Sequence, residues 1–188
     1  TDIGGNDDIQ TGEGDDVIIA GVGDDLVNVV IDPDTGPPGP YGVDSGDDVA
    51  IGDNGLVDFT TNTGEPLIGL IETFAPEDGG DDVMFLGDGG DVALGGSGDD
   101  SIDAQTDGSP DDAVDIVLGD NGEVRYDTRF GDERLVSIIS TDPSFGGDDD
   151  IKTGFGNDIA LGGVGDDDLD LGGGIGVASY MLILFAFA

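Results

Sequence analysis

A nine-residue period constrains this chain more than any other feature. Asp7, Asp16 and Asp25 stand nine apart, as do Asp82, Asp91 and Asp100, and again Asp149, Asp158 and Asp167. Two places after each Asp comes an apolar residue: Ile9, Ile18 and Val27, then Met84, Ala93 and Ile102, then Ile151, Ala160 and Leu169. Two places before each comes Gly: Gly5, Gly14, Gly23, Gly80, Gly89, Gly98, Gly147, Gly156 and Gly165. A fixed short period is the signature of stacked repeats. The Gly permits a tight turn with positive φ. The Asp offers a carboxylate from that turn, and the apolar residue begins a short strand and points inward. Two such units make one coil. The apolar side chains then stack into a narrow core, and the Asp side chains stack along the edges about 4.8 Å apart.

A longer repeat lies over the short one. Gly-Asp-Asn-Gly occurs at Gly52–Gly55 and again at Gly119–Gly122, an offset of 67. At that offset 25 of the 56 positions from Asp48 to Asp103 are identical to their partners from Asp115 to Asp170. Residues 44–110 and 111–175 are therefore two similar units, with a repeat block at 1–31 before them. The block at 1–31 matches the first unit at an offset of 75, so the Pro- and Gly-rich stretch 32–43 is an inserted loop. Residues 176–188 form an apolar tail. The whole is one elongated array.

Charge narrows the function. Acidic residues number 44, against 4 Lys plus Arg, and the formal charge is −40. A chain so acidic does not hold nucleic acid by neutralising phosphates. With no His and no Cys, the usual zinc, haem and iron–sulfur sites and the Ser-His-Asp and Cys-His nucleophiles are unavailable. Carboxylates stacked one strand apart repel strongly without a cation. Hard oxygen ligands in flexible turns are what Ca²⁺ prefers, whereas Mg²⁺ demands a stricter octahedron.

The segments Gly12–Asn28, Leu86–Asp103 and Thr153–Asp170 resemble the RTX (repeats-in-toxin) nonapeptide, G-G-x-G-x-D-x-U-x, most clearly at Gly95–Ile102 and Gly162–Leu169. The resemblance implies an all-β fold, a parallel β-roll or β-solenoid. It also implies several Ca²⁺ ions between stacked turns, held by the Asp and by turn carbonyls. Carried over to this chain, it pairs Asp7 with Asp25, Asp82 with Asp100, and Asp149 with Asp167. Asp16, Asp91 and Asp158 face the other edge. Asp48 and Asp115 fit a degenerate unit ahead of each Gly-Asp-Asn-Gly and join the candidate metal ligands. Asp53 and Asp120 are either further ligands or turn residues bonded to the following Asn-Gly, and the turn is the favoured reading.

Between the repeat blocks, Leu56–Thr73 and Glu123–Ser140 each carry two β-rich runs around a Gly-containing turn, at Thr63–Pro66 and Phe130–Glu133. Each is a hairpin leaving the roll, or a wider coil. Arg125, Arg129 and Arg134 all lie in the second. Asp58 and Arg125 are equivalent positions and could approach each other if the units stack by translation. Tyr180–Phe185 is too apolar to sit in water; burial against the roll or a neighbour is expected. The RTX resemblance allows a C-terminal export signal as well.

The reading that follows is a non-catalytic calcium-binding structural module of a secreted or cell-surface bacterial protein, such as an adhesin stalk, surface layer or fibre. Its partners are calcium and further copies or neighbouring repeats, with no nucleic acid and no small-molecule substrate. The alternative is the detached RTX region of a secreted enzyme or toxin. The sequence starts at Thr1, inside a repeat and without Met, as expected of a processed product or a slice of a longer chain.

Overall fold

The computed structural model describes residues 4–30, 39–40, 45–61, 64, 66–105, 113–174 and 176–179. Among these every regular element is a β-strand. Gly and Asp are poor helix formers, and the apolar residues recur too close together for a helical face.

The chain winds six times between two parallel sheets. The first winding is β1 (Asp8–Ile9) and β2 (Val17–Ile19). The second begins with β3 (Leu26–Val27), passes through the short antiparallel pair β4 (Val29–Val30) and β5 (Gly39–Pro40), and ends in β6 (Val49–Ile51). The chain then leaves as a hairpin, β7 (Gly55–Thr60) and β8 (Leu67–Thr73). It returns for β9 (Val83–Phe85) and β10 (Val92–Gly96), then β11 (Ser101–Asp103) and β12 (Ile116–Asp120). A second hairpin follows, β13 (Gly122–Asp127) and β14 (Arg134–Ser140). The fifth winding is β15 (Asp150–Lys152), the two-residue β16 (Phe155–Gly156) and β17 (Ile159–Leu161). The sixth is β18 (Asp168–Asp170), β19 (Gly173–Gly174) and β20 (Val177–Ser179).

One six-stranded sheet has the order β1-β3-β9-β11-β15-β18 and the other β2-β6-β10-β12-β17-β20. The ninefold apolar residues are in register within them. Ile102 pairs with Met84 and Ile151, and Ala93 with Ala50 and Val117. From the two sheets Ile18, Val27, Ala50, Met84, Ala93, Ile102, Val117, Ile151 and Ala160 meet in one buried core. That core is narrow because one side chain per strand enters it.

The two hairpins leave the winding and do not widen it. They join through β8 and β13 into a four-stranded antiparallel sheet, β14-β13-β8-β7. This sheet covers the outer face of the second parallel sheet. Ile71, Val124 and Ile138 from the hairpins form a second core with Val49, Ile51, Val92, Leu94, Ile116, Leu118 and Leu161. Strands buried on both faces read as unbroken apolar runs, which is why β6 is Val-Ala-Ile and β12 begins Ile-Val-Leu. The first parallel sheet stays solvated outside, and β15 and β18 read Asp-Ile-Lys and Asp-Leu-Asp.

Two expectations change here. The apolar tail does not break the pattern at residue 176: Val177–Ser179 is the last rung of the second sheet, paired with β17. Tyr180–Phe185 lies outside the described residues, as does most of the Pro-rich insertion. Asp58 and Arg125 do not pair. They flank Leu70 from opposite sides in one row of the hairpin sheet, and Arg125 binds Glu123 at 2.5 Å instead.

Candidate functional site: two carboxylate edges

Each turn is stitched to the next winding by the repeat Asp. On the first edge the backbone N–H of Asp7 donates to Asp25 Oδ1 at 2.7 Å, Asp25 to Asp82 at 2.8 Å, and Asp82 to Asp100 at 2.8 Å. Asp100 continues the column to Asp149 at 2.9 Å, and Asp149 to Asp167 at 3.2 Å. The three pairs implied by the family resemblance are therefore adjacent in one unbroken column. Asp25 stands next to Asp82, and Asp100 next to Asp149. On the second edge Asp16 donates to Asp48 at 2.8 Å, Asp48 to Asp91 at 2.8 Å, Asp91 to Asp115 at 3.0 Å, and Asp115 to Asp158 at 3.1 Å. The degenerate units thus put Asp48 and Asp115 in register with the regular ones.

Glycine makes this stacking possible. A Cβ on Gly98 would run into the carbonyl of Gly80 in the previous winding, and its φ of +134° suits glycine alone. The same approach recurs at Gly80, Gly147 and Gly165.

The second carboxylate oxygens define the chemistry. Oδ2 of Asp25, Asp82, Asp100, Asp149 and Asp167 is buried and accepts no hydrogen bond. Four of these atoms take the space that a side chain would need at glycines near the end of the neighbouring strand: Asp82 at Gly52, Asp100 at Gly95, Asp149 at Gly119 and Asp167 at Gly162. A buried polar atom without a partner costs free energy, and a buried charge costs several kcal/mol. Burial accordingly raises every carboxyl on this edge from Asp25 to Asp167. Asp82 reaches about 8 and Asp149 about 7, and Asp100 stands well above the normal carboxylate range. Accepted backbone N–H bonds lower the values, while neighbouring acids, such as Asp53 and Asp25 beside Asp82, push them further up. The second edge differs at Asp158, whose Oδ2 accepts from the Thr153 hydroxyl at 2.9 Å.

Asp53 and Asp120 are not local turn residues. Asp53 is buried and bridges two distant turns, accepting from Gly80 N at 3.1 Å and Ser97 N at 2.6 Å. Asp120 does the same with Gly147 N at 3.1 Å and Val164 N at 2.5 Å. Burial raises them to about 7 and about 6. The signal for this role was present: Gly-Asp-Asn-Gly is kept whole at both ends of the 67-residue offset. Asn121 adds to it, donating to Gly96 O at 3.1 Å and Ser97 Oγ at 2.8 Å.

An outer column runs the opposite way. Asp99 N donates to Asp81 Oδ1 at 2.9 Å, Asp148 N to Asp99 at 2.9 Å, and Asp166 N to Asp148 at 2.8 Å. These acids are exposed. The four basic side chains make short exposed pairs two residues away, with Glu123, Asp127, Asp132 and Asp150. Exposed pairs of this kind add little to stability, and none reaches the carboxylate columns.

Gly95→Ala tests the packing of the first edge. The added methyl would meet Asp100 Oδ2 and the Gly119 carbonyl. We expect a loss of about 1–3 kcal/mol, read as a lower melting temperature. Gly5→Ala, where nothing lies within 4 Å, should stay within about 0.5 kcal/mol of wild type.

Among the described residues, no group of three or more acidic side chains is gathered that could hold a metal ion. No family model, curated protein or solved structure matches this chain.

Proposed function

We propose that this chain is a non-catalytic, calcium-folded structural module of a secreted or cell-surface protein. In this reading it is an RTX-like β-roll, and the buried carboxylate columns are its cation sites. The observation that carries the proposal is the run of five buried Oδ2 atoms without hydrogen-bond partners along Asp25, Asp82, Asp100, Asp149 and Asp167. They are hard anionic oxygens, opened to close approach by glycine turns, and four basic residues cannot neutralise them. The donor set fits Ca²⁺, which takes carboxylate and backbone carbonyl oxygens together. Carbonyl ligands are required, because side chains alone do not make a complete site here.

Asp7, Asp25, Asp82, Asp100, Asp149 and Asp167 would hold calcium on the first edge, and Asp16, Asp48, Asp91, Asp115 and Asp158 on the second. The ion would supply the positive charge that lets these carboxylates stay ionised when buried. The extracellular space, where calcium modules work at affinities of about 10⁻⁴–10⁻³ M, suits that demand. A stack of coils suits further repeats or copies as neighbours along its axis.

Equilibrium dialysis against Ca²⁺ tests the reading, and several ions per chain are expected. Asp100→Asn should raise the midpoint for calcium-dependent folding several-fold, while Asp132→Asn, on the exposed rim of the second hairpin, should leave it unchanged. Stoichiometric binding of no calcium at millimolar concentration would overturn the proposal.

A further inference from the structure

The tetrapeptide Gly-Asp-Asn-Gly roots both hairpins, at Gly52–Gly55 and at Gly119–Gly122. Asn followed by Gly is the pair most prone to lose its side-chain amide, because glycine has no side chain to shield its N–H. The glycine nitrogen, once deprotonated, attacks Asn Cγ. The Cγ–Nδ2 bond breaks, and ammonia leaves with the proton that the nitrogen gave up. Water then opens the succinimide at either carbonyl and leaves Asp or isoaspartate. The reaction needs a mobile side-chain amide and a glycine N–H able to turn toward it.

The two roots differ in both respects. Asn121 is 1% exposed. Its amide donates to Gly96 O at 3.1 Å and Ser97 Oγ at 2.8 Å, and reaches Phe145 O at 3.5 Å. The N–H of Gly122 is itself held, by Thr73 Oγ1 at 3.0 Å. Asn54 stands partly exposed, and its amide donates to Asp78 O at 3.3 Å. Asp78 corresponds to Phe145 at the offset of 67, so this bond matches the longest of the three at Asn121.

The cause lies one repeat earlier. Gly96 and Ser97 belong to the winding before β12, and at the offset of 75 they correspond to Gly21 and Val22. Valine has no hydroxyl to offer Asn54. Thr73 belongs to the hairpin before β13. Gly55–Thr73 and Gly122–Ser140 are non-hydrogen-bonded pairs, since Phe74 N donates to Asn54 O and Thr141 N to Asn121 O. Each glycine N–H therefore points away from its own hairpin partner. For Gly122 that direction leads to β8 and Thr73. In the winding before β6, residues 20–25 join β2 to β3 directly, so that winding sends out no hairpin and no threonine.

We propose that Asn54 is a site of spontaneous deamidation in the folded protein and that the fold protects Asn121. This rests on the hydrogen bonds of the two roots and not on the calcium reading. Conversion at Asn54 sets a new carboxylate next to the buried Asp53, and isoaspartate lengthens the main chain ahead of β7. The first hairpin is thereby marked with age while the second is kept.

The chain carries its own reference, because both sites share the sequence Asp-Asn-Gly. In denaturant the two should convert at similar rates. In a buffer where circular dichroism shows β structure, Asn54 should convert at least about tenfold faster than Asn121, because reaction at Asn121 waits for local opening. Peptide mass mapping of samples aged at mildly alkaline pH reads both sites. Equal rates in the folded chain, or faster conversion at Asn121, would overturn the proposal. So would an intact Asn54 after a time in which the denatured chain has converted. Thr73→Val removes the acceptor of the Gly122 N–H and should speed conversion at Asn121 at least about threefold. An unchanged rate in the folded variant would overturn the protection assigned to that hydroxyl.

Discussion

In chelator at neutral pH the chain is expected to lose its β structure, and millimolar calcium is expected to restore it in one sharp transition. The magnitudes decide this. A domain of this size is stable by about 5–15 kcal/mol. Five buried carboxylate oxygens lack a hydrogen bond, and each uncompensated buried charge costs several kcal/mol. Keeping these carboxyls buried therefore draws on a large share of that stability, whether they stay charged or take up protons. Between the parallel sheets the core is narrow, about one apolar side chain per strand, and most of the larger apolar burial lies under the hairpins. A ligand at 100 times its Kd adds about 2.7 kcal/mol per site when only the folded chain binds it. Two to four such sites therefore carry the chain from unfolded to folded. Circular dichroism with EDTA and then with calcium is the measurement. Equal spectra and equal melting temperatures in the two would defeat the reading of these Asp residues as metal ligands.

Acid should replace calcium in part. In chelator, stability is expected to rise as pH falls from about 8 to about 4. Burial lifts the folded values, to about 8 at Asp82, about 7 at Asp53 and Asp149, and about 6 at Asp120. The unfolded value is near 3.9. Between these limits the folded chain binds more protons than the unfolded chain, so stability falls with rising pH across that window. Protonation also reduces the repulsion within a chain of formal charge −40. Asp127 works in the opposite direction, because Arg129 holds its carboxyl at about 2. That contribution is lost only below the normal carboxylate range. Without calcium, the β signal in circular dichroism should be greater at pH 5 than at pH 7.5. A β signal that climbs with pH over this interval would show that the buried carboxylates do not control the fold.

Much of the winding was legible in the spacing. The Gly, the Asp and the apolar residue of each unit occupy the turn, the edge and the core because a strand register of nine residues per half-winding allows nothing else. The degenerate units at Asp48 and Asp115 could be placed by their neighbours in register. The hairpins were legible as strands around Gly64 and Gly131. Their union was not, since β8 and β13 lie about 50 residues apart and no motif marks their pairing. The runs Val49-Ala50-Ile51 and Ile116-Val117-Leu118 did carry a trace of it, since no residue there faces water. Asp53 was misread for a physical reason: Asp before Asn-Gly is a good local turn, and only the folded chain brings the N–H groups of Gly80 and Ser97 to it.

The unequal dressing of the two parallel sheets has a consequence for crowded solutions. One flank of the molecule is roofed by the hairpins. The other presents Asp8, Asp150, Asp168 and Asp170 along the bare sheet, with Asp24, Asp81, Asp99, Asp148 and Asp166 lining its margin. Two such flanks brought side by side repel until they stand further apart than the screening distance, about 10 Å at 0.1 M salt. Molecules at high concentration are therefore held apart laterally. Light scattering should show this as a positive second virial coefficient that shrinks as salt is added.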